Sequence, residues 1–128
     1  MATLVKMTDT KEPQLMTVVM SDSDVYDVLY AAININVVRL TDGSYEWDSL
    51  VLPDFALDNI YRADLETKRA VLIAHIVKAY YDDNKMTAIL NNYLADPTDE
   101  HKQEFEDLQK LRRLAKETVT KIIKNKLF

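Results

Sequence analysis

Apolar positions recur with a period near two at the start of this chain and with spacings of three and four further on. Thr3 to Met7 and Gln14 to Met20 read as short strands on either side of the polar stretch Thr8 to Pro13. In the second strand Leu15, Thr17 and Val19 face one way and Met16, Val18 and Met20 the other. Both faces are largely apolar, so the strand is expected to be covered on both sides or to lie at a subunit contact. Ser21-Asp22-Ser23-Asp24 offers short side-chain oxygens that cap orphan helix N–H groups. Val25, Val28, Leu29, Ala32 and Ile33 follow at helical spacing and predict a short helix from Val25 to Ile33. Its boundary competes with a strand-like alternation of Ile33, Ile35 and Val37.

Asp42-Gly43 is the sharpest local signal, flanked by Ile35 to Thr41 and Ser44 to Leu52. A two-residue turn of type I′ needs positive φ at both central positions, which Asp-Gly supplies. With that turn Leu40 pairs with Tyr45, Arg39 with Glu46 and Val38 with Trp47, opposing charges on one face and apolar groups on the other. Pro53-Asp54 ends the hairpin, and Phe55, Leu57, Ile60 and Tyr61 suggest a short helix or turn.

The second half of the chain reads as helical. From Ala63 to Tyr81, Leu65, Leu72, Ile76, Ala79 and Tyr80 mark one apolar face, and Val71, Ile73, Ala74 and Val77 nearly close the circumference. Such a helix is central in a bundle or buried by a partner. Asp82-Asp83-Asn84 breaks it, and Met86, Ile89, Leu90, Tyr93 and Leu94 mark a short amphipathic helix. Asp96 is the expected N-cap of a final helix from Pro97 to Phe128, with Asp99 and Glu100 in its positive first turn. Phe105, Leu108, Ala115, Val119, Ile122 and Ile123 form its stripe, widened by Leu111, Leu114 and Leu127. At about 45 Å it would outreach a domain with a radius of gyration of about 14 Å, so part of it is expected to project or to meet another chain. The expected fold class is therefore α+β: one domain over residues 1–128, mainly β with one short helix to residue 53 and helical thereafter.

Composition narrows the chemistry. The chain has no cysteine, which removes disulfides, thiolate nucleophiles and Cys-based zinc sites. Its only glycine sits in the hairpin turn, so no Gly-rich phosphate loop is expected. Met1 to Met20 has neither a basic segment followed by an apolar run nor a small-residue cleavage site, so no signal peptide is expected. The run Ala70 to Tyr81 is well short of a membrane span. A cytoplasmic or virion location follows as the expectation, with no membrane partner.

Candidate chemical sites each have a plain structural explanation. His75 lies among apolar helix residues and reads as a hydrogen-bonded core or interface histidine, with a pH-sensitive interface as the functional variant. His101 and Glu104 stand one helical turn apart, but two ligands on an acidic surface turn do not make a metal site. Asp22, Asp24 and Asp27 lack the glycine and terminal glutamate of a calcium loop and suit helix capping, and Asp82 and Asp83 suit a helix terminator. No serine or threonine sits in a sharp-turn nucleophile context. No catalytic residue, metal ligand or cofactor is assigned, and a nonenzymatic role is expected.

Charge supplies the strongest functional lead. The net charge is −5, but residues 1–109 hold 9 basic and 20 acidic side chains, whereas residues 110–128 hold 7 basic and 1 acidic. Lys110, Arg112, Arg113, Lys116, Lys121, Lys124 and Lys126 can simply offset the negative end of the helix dipole as a solvated face. They can also bind a partner, with Asp99, Glu100, Glu104, Glu106 and Asp107 as an acidic patch on the same helix for a neighbouring copy to meet. Contacts of that head-to-tail kind build rings or filaments. The expected function is thus a protein-interaction or assembly subunit that contacts another protein or copies of itself, with a structural or connector protein of a bacteriophage particle as one setting. The alternative is a small regulatory protein that binds nucleic acid, or a nucleic-acid enzyme, through the basic helix or the acidic body. It is disfavoured because the basic helix interleaves no aromatic residues and the remainder of the chain repels a polyanion.

Overall fold

The computed structural model describes residues 3–20, 28–53 and 64–125. Four strands come first, β1 Thr3–Asp9, β2 Met16–Met20, β3 Val28–Arg39 and β4 Tyr45–Pro53, followed by α1 Leu65–Tyr80, α2 Asp83–Ala95 and α3 Asp99–Lys124. The strands form one antiparallel sheet in the order β1-β4-β3-β2, so the α+β class holds.

A row of apolar side chains crosses the inner face of the sheet, because Met16 pairs with Ile33, Ile33 with Leu50 and Leu50 with Leu4. Met16, Ile33 and Leu50 are fully buried and join Ala31, Ile35 and Leu52 in one cluster with Leu72, Ile76 and Val77 of α1, Ile89 of α2, and Leu108, Ala115, Val119 and Ile122 of α3. The third helix packs along both α1 and α2. It begins later than expected. Thr98, not Asp96, is its N-cap, with the hydroxyl accepting from the His101 N–H at 3.2 Å, while Asp96 closes α2. Its 26 residues extend about 39 Å, and its stripe from Leu108 to Ile122 is buried within the domain. Residues 126–128, and with them Lys126 and Leu127 of the expected helix, lie outside the described residues.

In the β half two expectations change. The short helix expected from Val25 to Ile33 is not formed over Val28 to Ile33, which belong to β3; residues 25–27 lie outside the described residues. The same apolar residues satisfy both periods, and pairing with β2 on one side and β4 on the other decides in favour of the strand. The hairpin register is also displaced by one residue: Arg39 pairs with Tyr45 and Val38 with Glu46. Leu40 N–H donates to Ser44 O at 2.7 Å and Gly43 N–H to Leu40 O at 3.0 Å, enclosing a three-residue loop, Thr41 to Gly43. Positive φ is needed only at Gly43, where it is 88°. The Asp42 carboxylate holds the loop from within, accepting from the Ser44 N–H at 2.9 Å and its hydroxyl at 2.5 Å. These bonds keep its pKa below the usual carboxylate value.

The register shifts again between Ile35 and Val38. Asn36 absorbs the extra residue at φ 55°, a left-handed conformation that asparagine tolerates better than most side chains. The bulge aims the Asn36 amide at Asp48, whose carboxylate accepts from Asn36 Nδ2 at 3.1 Å and from the Tyr80 hydroxyl of α1 at 2.7 Å. Lys6 of β1 pairs with the other carboxylate oxygen at 2.7 Å. Burial pushes the Asp48 carboxyl up, but the bonds from Lys6, Tyr80 and Asn36 together outweigh it and hold the group below its usual range. On the opposite face Asn34 is the organiser: its Oδ1 accepts from buried Trp47 Nε1 at 3.0 Å, and its Nδ2 donates to Gln14 O at 2.7 Å. That pins the β1–β2 connection to the sheet. In β2, Met16 is buried and Thr17 exposed; the side chains of residues 18–20, on which the expected double-sided cover also depends, lie outside the described ones.

The remaining helices follow their capping chemistry. Asp64 caps α1 by accepting from the Thr67 N–H at 2.7 Å, and Asp82 caps α2 by accepting from the Lys85 N–H at 2.7 Å. Asp82 therefore starts a helix, and Asp83 and Asn84 are its first residues. The acidic run 21–27 and the segment 54–63, expected to cap and to form a short helix, lie outside the described residues. Among the described residues no helix is long and apolar enough to cross a membrane.

Leu72→Ala should destabilise the domain by about 2–5 kcal/mol in chemical denaturation, since the fully buried side chain cannot be replaced by water or by neighbours. Asp48→Asn should cost on the order of 1–3 kcal/mol at neutral pH. The folded Asp48 carboxyl titrates below the ordinary aspartate value of about 3.8, so its contribution is present above about pH 4 and is lost as the pH falls through the folded pKa. Stability measured from pH 6 down to 2 should therefore fall less steeply in Asp48→Asn than in the wild type.

Candidate functional site

The basic half of α3 is distributed by the helix turn into separate neighbourhoods. Arg113 and Lys121 are exposed, as are Lys110, Lys116 and Lys124, and none of these five makes an ion pair with a described residue. Arg112 is half-buried, with Nη2 directed at Met86 Sδ of α2 at 3.9 Å. It lines a groove of about 370 Å³ together with Lys116, Lys78, Ala70, Ile73, Ala74, Val77 and Met86. This is the seam between α1 and α3: its floor is apolar, its rim carries Lys78, Arg112 and Lys116, and no carboxylate lines it.

Lys110 faces a different depression, also about 370 Å³, shared with Lys85, Asn36, Tyr80, Tyr81, Leu111 and Leu114. The Lys85 ammonium sits 5.0 Å from the centre of the Tyr81 ring and so occupies one aromatic face with the protein's own cation. Burial pushes the Tyr80 hydroxyl up, and its bond to Asp48 adds to the shift, so it is a neutral donor throughout the physiological range. Lys124 lies at the far end of the α1–α3 seam with Leu65, Arg69 and Ile123, where Arg69 Nη1 donates to Thr120 Oγ1 at 2.5 Å.

The acidic residues divide as well. Asp99 and Glu100 are exposed in the first turn of α3, where the helix dipole favours negative charge. Glu104 is half-buried and turns toward α2, lining a groove with Lys85, Asn92 and Asp107. Tyr93 and Phe105, stacked at 4.2 Å between ring centroids, hold α2 and α3 together beside it. Lys126 lies outside the described residues. The cations contributed by other helices, Lys78, Lys85 and Arg69, were not singled out by sequence; only their juxtaposition with α3 gives them weight.

His101 Nδ1 bonds the Asp96 carbonyl at 2.5 Å, which occupies that nitrogen as a donor. No group of three or more His, Asp or Glu residues suited to a metal ion occurs among the described residues. His75 is half-buried, and burial, with Lys78 adding to it, lowers its pKa. It makes no hydrogen bond with a described residue, in contrast to the hydrogen-bonded histidine expected.

No family model matches the chain, and no curated protein or solved structure is detectably similar to it.

Arg112 is half-buried against Met86, so its methylene stem should count as much as its charge. Arg112→Ala should lower stability by about 0.5–1.5 kcal/mol in denaturant titration, whereas Arg113→Ala, fully at the surface, should stay within about 0.5 kcal/mol of wild type.

Proposed function

We propose that this chain is a nonenzymatic protein-interaction or assembly subunit, for instance of a bacteriophage particle, and that it engages its partner through the charged surface of α3. The observation that carries the reading is an apolar seam between α1 and α3 whose rim cations, Lys78, Arg112 and Lys116, have no acidic counterpart in the groove. A purely solvated basic face has no need of an apolar floor. Exposed apolar surface bordered by charge of one sign is how a docking surface combines burial with selection of its partner.

Nucleic acid is the less favoured partner. The net charge of the chain is −5, and Lys110, Arg112, Lys116 and Lys124 of α3 are divided among three depressions instead of forming a single track along a phosphate backbone. A protein surface with acidic groups around an apolar centre matches the seam better.

Light scattering on the full chain across a range of concentrations, at low and at high salt, tests this reading. Association that weakens as salt rises is expected, because exposed charges are screened over about 10 Å at 0.1 M. Arg112→Ala combined with Arg113→Ala should weaken it by roughly tenfold, equivalent to about 1.4 kcal/mol. A chain that stays monomeric and instead binds duplex DNA with a steep inverse dependence on salt would overturn the reading in favour of phosphate contact.

A further inference from the structure

Two surface features of opposite character stand at opposite ends of α2. One is the α1–α3 groove, reached by Met86 in the first turn of α2 and rimmed by Lys78, Arg112 and Lys116. The other is Leu94 in the last turn, which at 77% exposure is the most exposed large apolar side chain among the described residues. The corner from α2 into α3 around it carries Asp96, Asp99 and Glu100, all exposed and none in an ion pair with a described residue. A leucine among acids thus has its counterpart in an apolar hollow among bases. The hollow, at about 370 Å³, is roomy enough for a leucine side chain.

We infer that the groove receives the α2–α3 corner of a second copy of this chain. Leu94 of that copy seats against Ile73, Ala74 and Met86, and its Asp96, Asp99 and Glu100 face Lys78, Arg112 and Lys116. The two surfaces cannot meet within one molecule, because Met86 and Leu94 are about 12 Å apart along the same helix. Each copy therefore offers its corner to one neighbour and its groove to another. That arrangement is heterologous and continues as a ring or a filament. The inference rests on the assembly reading above and specifies its partner, the contact and its polarity.

The test uses the full chain and a pair of single substitutions at exposed helical positions, Leu94→Glu on the corner and Ala74→Glu in the groove. Both replacements suit a helix, so thermal melting followed by circular dichroism should match wild type. In sedimentation velocity at low salt, wild type is expected to form species larger than its 14.8 kDa monomer, and each variant alone to run as the monomer. An equimolar mixture of the two variants should recover a two-chain complex and nothing larger, since each retains one working surface. General loss of stability or altered net charge would not produce that recovery. Wild-type association that Leu94→Glu leaves unchanged, or a mixture that stays monomeric, would overturn the inference while leaving the assembly reading intact. Wild type that is monomeric at every concentration would overturn the inference together with the self-assembly form of the reading above, leaving only docking onto a different protein.

Discussion

Burial of a single apolar layer between the inner face of the sheet and the three helices positions every other part of this molecule. Each strand side chain that enters the layer, from Met16 through Ile33 to Leu50, is matched by helix residues such as Leu72, Ile76 and Leu108 that are equally removed from water. Burial at about 25 cal/mol per Å² of apolar surface is the main favourable term in folding, and it is not directional. Direction comes from the polar groups at its border. Because α3 contributes to the layer along most of its length and packs on both α1 and α2, its opposite face is obliged to carry the charges that dominate the surface.

The border is fastened on each side of the sheet by one polar hub. Asp48 gathers strand β1, the bulge in β3 and helix α1 through Lys6, Asn36 and Tyr80. Asn34 gathers Trp47 and the connection between β1 and β2. Neither hub leaves a donor or acceptor stranded: among the described residues no buried side-chain polar atom lacks a partner. Satisfied polar groups at the edge of a core contribute modestly to stability but strongly to uniqueness, since a one-residue slip of β3 against β4 would break both hubs together.

Much of this was legible in the sequence where a local rule had no competitor. The hairpin at Asp42-Gly43, the three helices and the apolar stripe of the last helix follow from turn chemistry and a 3.6-residue period alone. The failures occur where two rules agree locally and only tertiary contacts choose. Val28 to Ile33 fits helix and strand alike until β2 and β4 flank it. Asp-Gly closes either a two-residue or a three-residue loop, and the Asp42 bonds to Ser44 select the longer one. At the candidate site, the charge of α3 was visible residue by residue, from Lys110 to Lys124. The grooves were not, because their meaning depends on Lys78, Lys85 and Ala74 arriving from helices whose relative rotation no linear pattern encodes.

The strand order has a consequence for how the chain reaches this structure. β3 and β4 are neighbours in sequence and can meet by closing a five-residue span, whereas β1 pairs only with β4, Thr3 opposite Val51 at one end of the ladder. Closing so long a loop costs entropy that short-range contacts avoid, and topologies dominated by such closures fold more slowly. Of these four strands, the first in sequence is therefore expected to be among the last to find its place. Until it docks, Lys6 has no Asp48 to meet and the outer edge of β4 stays open.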